Sequence, residues 1–211
     1  MKVSVLGCGR MGMAVGSALA RTGDEVRFAS REPERVAEIL REHNVRGSVA
    51  PIQGAAVDAD LVVLATAWHD TRAILAAAAP LDGNVILSVV NPETDDAPLA
   101  IGHTTSAAEE IARLAPGARV VEAFNGTYAQ AIDLAPAASS QTVMYCGDDA
   151  DARDLVGSVI RRLGFDALDA GPLRNARYLE PLAALVVYLV RTAGYGPLGI
   201  HQEWKRTHPS G

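Results

Sequence analysis

Residues 7–12 read Gly7-Cys8-Gly9-Arg10-Met11-Gly12, directly after the apolar run Lys2–Leu6 and at the start of a helical pattern over Met11–Arg21. Glycines spaced G-x-G-x-x-G occur in many turns, but between a strand and a helix the spacing has one physical use. Gly7 permits the tight turn. Gly9, with no Cβ, lets a pyrophosphate come against the backbone, and Gly12 lets the helix lie close to the strand. The helix N-terminus then offers free N–H donors and a partial positive charge to an anion.

The rest of the chain repeats the same alternation. Short apolar runs at Glu25–Ala29, Leu61–Ala65, Asn84–Val90 and Arg119–Ala123 read as strands. Helical patterns at Pro33–His43, Thr71–Ala79 and Ser106–Leu114 lie between them. Such alternation predicts an α/β fold with a doubly wound parallel sheet, and strands this uniformly apolar suit a sheet covered on both faces. After Ala135–Ser140, a loop by composition, the texture changes to a strand (Thr142–Cys146), a helix (Ala150–Leu163), a strand (Asp166–Ala170) and a long apolar helix (Ala176–Thr192). The expected division is a nucleotide-binding domain over residues 1–138 and a small α+β domain over 139–211. With 211 residues, 49% of them hydrophobic and 5% aromatic, the core must be aliphatic.

The second checkpoint of a dinucleotide site lies about 20 residues past the glycines, where an acidic side chain would bind the ribose hydroxyls of NAD. From Gly12 the count to Arg31 is 31 − 12 = 19, and the stretch there is FASREPER, with Ser30, Arg31 and Arg35. A carboxylate would repel a 2′-phosphate; a guanidinium grips it with two parallel charge-assisted bonds, and Ser30 adds a hydroxyl. The plainer alternative is that Arg31 and Arg35 are solvated charges beside Glu32 and Glu34. Their position favours NADP(H) over NAD.

Other chemistries find no support. The net charge of −6 gives no footprint for nucleic acid. The longest apolar stretch, Leu182–Val190, is too short to span a bilayer, the first apolar run lacks the features of a signal peptide, and Cys8 and Cys146 form no disulfide framework; a cytoplasmic location is expected. The five histidines show no metal-ligand spacing. Lys2 and Lys205 are the only lysines, no Tyr precedes a Lys by four positions, and no nucleophile elbow occurs. Hydride transfer with little acid–base machinery is what these residues leave.

Taken together, the glycine motif with Ser30-Arg31, Ala67-Trp68-His69 after the strand Leu61–Ala65, Cys146-Gly147-Asp148-Asp149, LDAGPLRNAR (Leu168–Arg177) and Gly196-Pro197-Leu198-Gly199-Ile200 resemble, in order, the NADPH-dependent reductases of the deazaflavin coenzyme F-420. The resemblance implies an N-terminal Rossmann domain, a small C-terminal domain closing a cleft, and direct hydride transfer between stacked rings. By position it implies that Gly7, Gly9, Arg10 and Met11 hold the pyrophosphate, and Ser30, Arg31 and Arg35 the 2′-phosphate. Ala65, Thr66, Ala67 and Trp68, with Ser88 and Val90, would frame the nicotinamide. Asn125, Gly126, Thr127 and Ala129 would line the deazaflavin pocket. The apolar helix Ala176–Thr192 would be covered in a homodimer. Ala67 stands where that family usually has proline, and Pro92–Thr105 and Phe124–Thr127 depart from its pattern. Similar domains also form the cytosolic part of membrane ferric reductases.

Three functions fit this reading: an NADP(H)–deazaflavin oxidoreductase, an NADPH reductase of another small conjugated or imine substrate, and a non-catalytic NADP(H) sensor. Trp68 is as readily a core aromatic as a pocket wall, His69 beside Asp70 fits a structural pair better than a proton donor, and Asn125 can orient a ring amide or make a turn.

Overall fold

Leu61-Val62-Val63-Leu64 is wholly buried, yet neighbouring residues of the run point into different cores. Leu61 and Val63 join one hydrophobic cluster; Val62 and Leu64 join the other. That is the period of two of a β-strand covered on both faces, and it organises the molecule.

The computed structural model describes residues 1–134, 141–198 and 202–204. Its elements are β1 (Lys2–Leu6), α1 (Arg10–Arg21), β2 (Glu25–Ser30), α2 (Pro33–Glu42), β3 (Ser48–Pro51), β4 (Leu61–Leu64), α3 (Trp68–Ala78), β5 (Val85–Ser88), α4 (Ala107–Leu114), β6 (Arg119–Ala123) and α5 (Ala129–Leu134). They are followed by β7 (Thr142–Gly147), α6 (Ala150–Arg162), β8 (Asp166–Asp169), a 3₁₀ turn (Leu173–Asn175) and α7 (Ala176–Arg191). The described strands form one sheet in the order β3-β2-β1-β4-β5-β6-β7-β8. All neighbours from β3 to β6 are parallel, so the fold is α/β and doubly wound, with the order reversing between β1 and β4. Buried residues of α1, α2, α5 and α6 pack into the first cluster and those of α3, α4 and α7 into the second.

β6 and β7 pair antiparallel, with Ala123 opposite Tyr145, and β8 runs parallel to β7. The boundary expected at residue 138 falls outside the described residues, as does the loop at 135–140. Beyond it, β7 and β8 extend the same sheet. The antiparallel step brings the start of β7 to the edge where β1, β2, β4, β5 and β6 end, and that edge carries the candidate site.

Most element positions follow the sequence pattern. The strand expected over Asn84–Val90 is shorter because the Val90 amide bonds the Ser88 hydroxyl at 3.3 Å instead of continuing the ladder. α3 begins at Trp68, three residues before the expected Thr71. Neither β3 nor α5 is anticipated by periodicity. β3 is a half-exposed edge strand ending on Pro51, and α5 has 6 residues, too few to show a helical period.

Candidate functional site

Gly7 turns the chain out of β1 with φ +99°. A Cβ there would stand 2.6 Å from the Ala65 carbonyl oxygen, and one on Gly12 would stand 1.9 Å from the Gly7 carbonyl oxygen. Both glycines are therefore held by close backbone contact, which brings α1 against the ends of β1 and β4. Gly9 differs: a Cβ added there would meet nothing within 4 Å. It is the N-cap of α1, and no side chain caps the helix. The arrangement thus leaves α1's first N–H groups facing open space beside a residue without a side chain, which suits a phosphate. Arg10, exposed, and Met11, half-buried, begin the helix.

Ser30 ends β2, and its hydroxyl accepts the Glu32 amide at 3.0 Å. Arg31 reaches across to α3, where its Nη2 lies 2.9 Å from Asp70 Oδ2 and its Nη1 3.4 Å from Oδ1. Arg35 Nη1 lies 3.1 Å from Glu32 Oε2. Both guanidinium groups are largely exposed, at 68% and 72%. Both are exposed enough to exchange a carboxylate for a phosphate, and the Arg35–Glu32 pair is also what solvated helix charges would form. His69 Nε2 is 3.7 Å from Asp70 Oδ2, an exposed pair as expected.

At the end of β4, Ala65 and Thr66 are half-buried and Ala67 is exposed. The Thr66 hydroxyl lies 2.8 Å from that of Thr71, which donates to the Ala67 carbonyl at 3.0 Å and ties the strand end to α3. Trp68 packs partly buried against the second core. Ser88, which ends β5, and Val90, two residues beyond it, are buried.

After β6 the chain reverses sharply. Phe124 has φ +65°, a left-handed conformation rare for an aromatic residue, and the Thr127 amide bonds its carbonyl at 3.0 Å. An edge-to-face contact with Phe165, ring centroids 5.8 Å apart, holds it. The turn places Asn125, Gly126 and Thr127 at a small pocket whose opposite wall is α7, with Leu182 and Val186, and whose side is β7, with Val143 and Met144. No described residue lining it is titratable. Ala129 lies elsewhere, along a groove beside Arg10 and Met13 of α1. Of the expected pocket residues, the structure brings three together and separates the fourth.

The chain matches the family model described as coenzyme F-420-dependent NADP oxidoreductase over residues 2–92. It also aligns with a crystal structure from Arthrobacter sp. FB24, provisionally assigned as an F-420-dependent NADP-reductase, at 31% identity and a TM-score of 0.83, covering 92% of this chain and 95% of that one. The chain belongs to the F-420-dependent NADP oxidoreductase family. An F-420-dependent NADP reductase of Methanothermobacter marburgensis is 29% identical across 92% of this chain and 96% of its own length. Metalloreductase STEAP3 of Rattus norvegicus is 32% identical across 90% of this chain, which spans 38% of that protein. Among the described residues no helix is long and apolar enough to cross a membrane. This member of the family is an NADP-dependent oxidoreductase, and the open cradle at Gly9 fits the cofactor's pyrophosphate.

Sequence reasoning overlooked two residues of this oxidoreductase. Glu122 in β6 and Glu180 in α7 are 0% and 1% exposed. Glu180 accepts the amides of Ala107 and Ala108 at 2.9 and 3.1 Å, capping α4 from another helix. Glu122 accepts the Asn125 side-chain amide, which also donates to Asn91 Oδ1 at 3.0 Å. Burial, with the neighbouring carboxylate, pushes Glu122 well above the usual carboxylate range, and burial raises Glu180 to about 7. The signal was present: a lone Glu in the strand RVVEA and another inside an apolar helix are positions where a charge is costly without a partner.

Proposed function

We propose that this oxidoreductase passes hydride directly between NADP(H) and a deazaflavin coenzyme of the F-420 type. The observation that carries the proposal is the uncharged pocket formed by Gly126, Thr127 and α7, at the sheet edge that also bears the glycine loop. Gly126 adds no side chain to its rim, which is where a flat ring would approach. The absence of titratable groups among its described lining residues suits a transfer that needs alignment rather than a proton shuttle. The Methanothermobacter relative, matched almost end to end, carries the same activity in its name.

In this reading Gly7, Gly9, Arg10 and Met11 bind the pyrophosphate, and Ser30, Arg31 and Arg35 bind the 2′-phosphate. The backbone at Ala65–Trp68 and Ser88–Val90 bounds the nicotinamide. Bound NADP(H) supplies or accepts the hydride; the chain orients it and keeps water from the ring face. Residues 1–138 serve the nucleotide, and residues 139–211 wall the second pocket. The outward face of α7, with Tyr178, Leu185 and Tyr188 at 72%, 53% and 54% exposure, is the surface a second copy covers, giving a homodimer in the cytoplasm.

The test is to mix the protein with NADPH and oxidised coenzyme F-420 and follow both absorbance bands. Coupled loss of the two is expected. A Cβ on Gly126 has no neighbour nearer than 3.9 Å, so Gly126→Trp starts from an unstrained position and directs its indole at the mouth of the pocket. It should abolish turnover while NADPH affinity changes by less than about 1 kcal/mol. Failure of the parent protein to reduce F-420 would sink the proposal; unimpaired turnover in the variant would move the pocket.

A further inference from the structure

Three of the four buried side-chain oxygens without a partner among the described residues belong to Glu122, Asn125 and Tyr128, all within one strand end and its turn. Glu122 Oε2 is one of them. As long as Glu122 and the adjoining Glu180 are both carboxylates, two acceptors face each other in a site without water access, and neither can satisfy the other. A single proton changes that. Placed on Glu122 Oε2 it makes a donor for Glu180, and every bond in the chain then acquires one direction. Glu180 takes two N–H donors from the N-terminus of α4, which favours its carboxylate form, so the proton belongs to Glu122. Glu122 Oε1 remains an acceptor for the Asn125 amide, which also donates to Asn91, and Asn91 donates back to the Asn125 carbonyl at 2.9 Å.

We infer that Glu122 and Glu180 share one proton, and that protonated Glu122 is a positioning residue that holds α7 against β6 and α4 and fixes the Asn125 turn on the opposite wall of the pocket. The part concerning the pocket rests on the proposed site for the second substrate; the shared proton does not. Glu180 lies on α7 between Leu179 and Leu182, two of the residues that wall the pocket. The proton thus joins both walls through Glu180, Glu122 and Asn125.

The other charged or titratable groups around the pair do not replace the proton. α4 contributes Glu109, which adds repulsion and is itself held by Arg177 of α7 at 2.6 and 2.8 Å. β7 contributes Cys146, whose thiol burial keeps protonated, with Asp148 beyond it. The sign of the effect follows. A carboxyl pair that binds a proton more tightly when folded than when unfolded stabilises the fold at low pH, and that contribution declines as pH rises through the folded value. Glu180 is the carboxyl that ionises first, at about 7, and the proton left on Glu122 is lost above that.

Glu122→Gln separates this arrangement from a merely structural carboxylate, because its amide reproduces the protonated group: Nε2 donates to Glu180 and Oε1 accepts from Asn125. In wild type, the thermal midpoint and the hydrogen-exchange protection of residues 179–186 and 124–129 should both fall as pH rises from about 7 to about 9, and KM for F-420 should rise roughly tenfold with kcat less affected. Glu122→Gln should fold, show the protonated-state midpoint throughout, and hold KM within about twofold over the same range. Difference infrared spectra should lose a carboxylic C=O band in this variant. Glu180→Gln should also flatten the pH response, from a lower starting midpoint, since an amide caps α4 more weakly than a carboxylate. Retention of the wild-type pH dependence in Glu122→Gln, or no carboxylic band in wild type, would overturn the inference. A flat KM beside a pH-dependent midpoint would overturn the positioning role. No turnover of F-420 at any pH would instead remove the second-substrate reading, with the midpoint, exchange and infrared results still deciding on the proton.

Discussion

Arg31 already holds an anion, Asp70, and Arg35 holds Glu32. Exposed pairs of this kind are worth about 0–1 kcal/mol, whereas bidentate guanidinium–phosphate bonds are worth more, so a 2′-phosphate should displace both carboxylates. Replacing Arg31 and Arg35 together by Ala should weaken NADPH binding by about 2–3 kcal/mol with NADH little changed, measured by titration calorimetry at fixed salt. Asp70→Asn should tighten NADPH two- to threefold by removing the competitor. Equal losses for NADPH and NADH in the double variant would take the 2′-phosphate away from these arginines. Gly9 gives a cleaner test, because its missing Cβ has no protein neighbour within 4 Å. Gly9→Val should keep the thermal midpoint within a few degrees and remove NADPH binding, whereas Gly12→Ala should unsettle the fold itself. Normal NADPH affinity in Gly9→Val would show that no phosphate approaches there. The spacing already gave Gly12 to helix packing and left Gly9 for a ligand; the contacts that hold Gly7 and Gly12 could not be read from it, because they depend on where β4 and the Gly7 carbonyl lie.

α7 shows how an element can be located by pattern while its purpose is not. Its apolar run announced a helix over Ala176–Thr192, and the helix observed is Ala176–Arg191. One face, with Ala176, Leu179, Ala183 and Val186, is buried under the sheet; the opposite face leaves Tyr178, Leu185 and Tyr188 exposed. If a second copy covers that face, Leu185→Asp with Tyr188→Asp should convert a dimer to a monomer of unchanged circular dichroism, read by light scattering over a concentration series. A wild-type protein that is monomeric at all concentrations would sink the dimer. The short elements escaped the sequence for a different reason. β3 is an edge strand with little burial to mark it, and α5 is held by packing on α1 rather than by its own periodicity.

Across the whole molecule, buried charges set opposite pH limits. Asp24, its side chain 1% exposed, is pushed up by burial, but the Arg162 guanidinium at 2.9 Å and the N-terminal ammonium at 3.0 Å outweigh that and hold it below its ordinary value. Arg177 does the same for Glu109, against the opposing effect of burial. These groups contribute stability that is present above their unfolded values and lost as pH falls through the lowered folded ones; the Glu122–Glu180 pair contributes stability that is lost in the opposite direction. Calorimetric midpoints should therefore peak in the mildly acidic range and fall on both sides, with Asp24→Asn flattening the acid limb. A midpoint that rises steadily from about pH 5 to about pH 8 would contradict this balance. The alternation of apolar runs determined the α/β class, and the glycine spacing and the basic pair after β2 carry the proposed place of the nucleotide and the proposed preference for NADP(H), because each is a local pattern with a local physical cause. Only the tertiary structure decided that β7 returns antiparallel beside β6, that Gly126 and Thr127 meet α7 around a pocket while Ala129 turns away, and that Glu122 and Glu180, 58 residues apart in the chain, come together with no cation of the described residues between them. Those are contacts between distant segments, and burial, which assigns them their energies, exists only once the sheet is assembled.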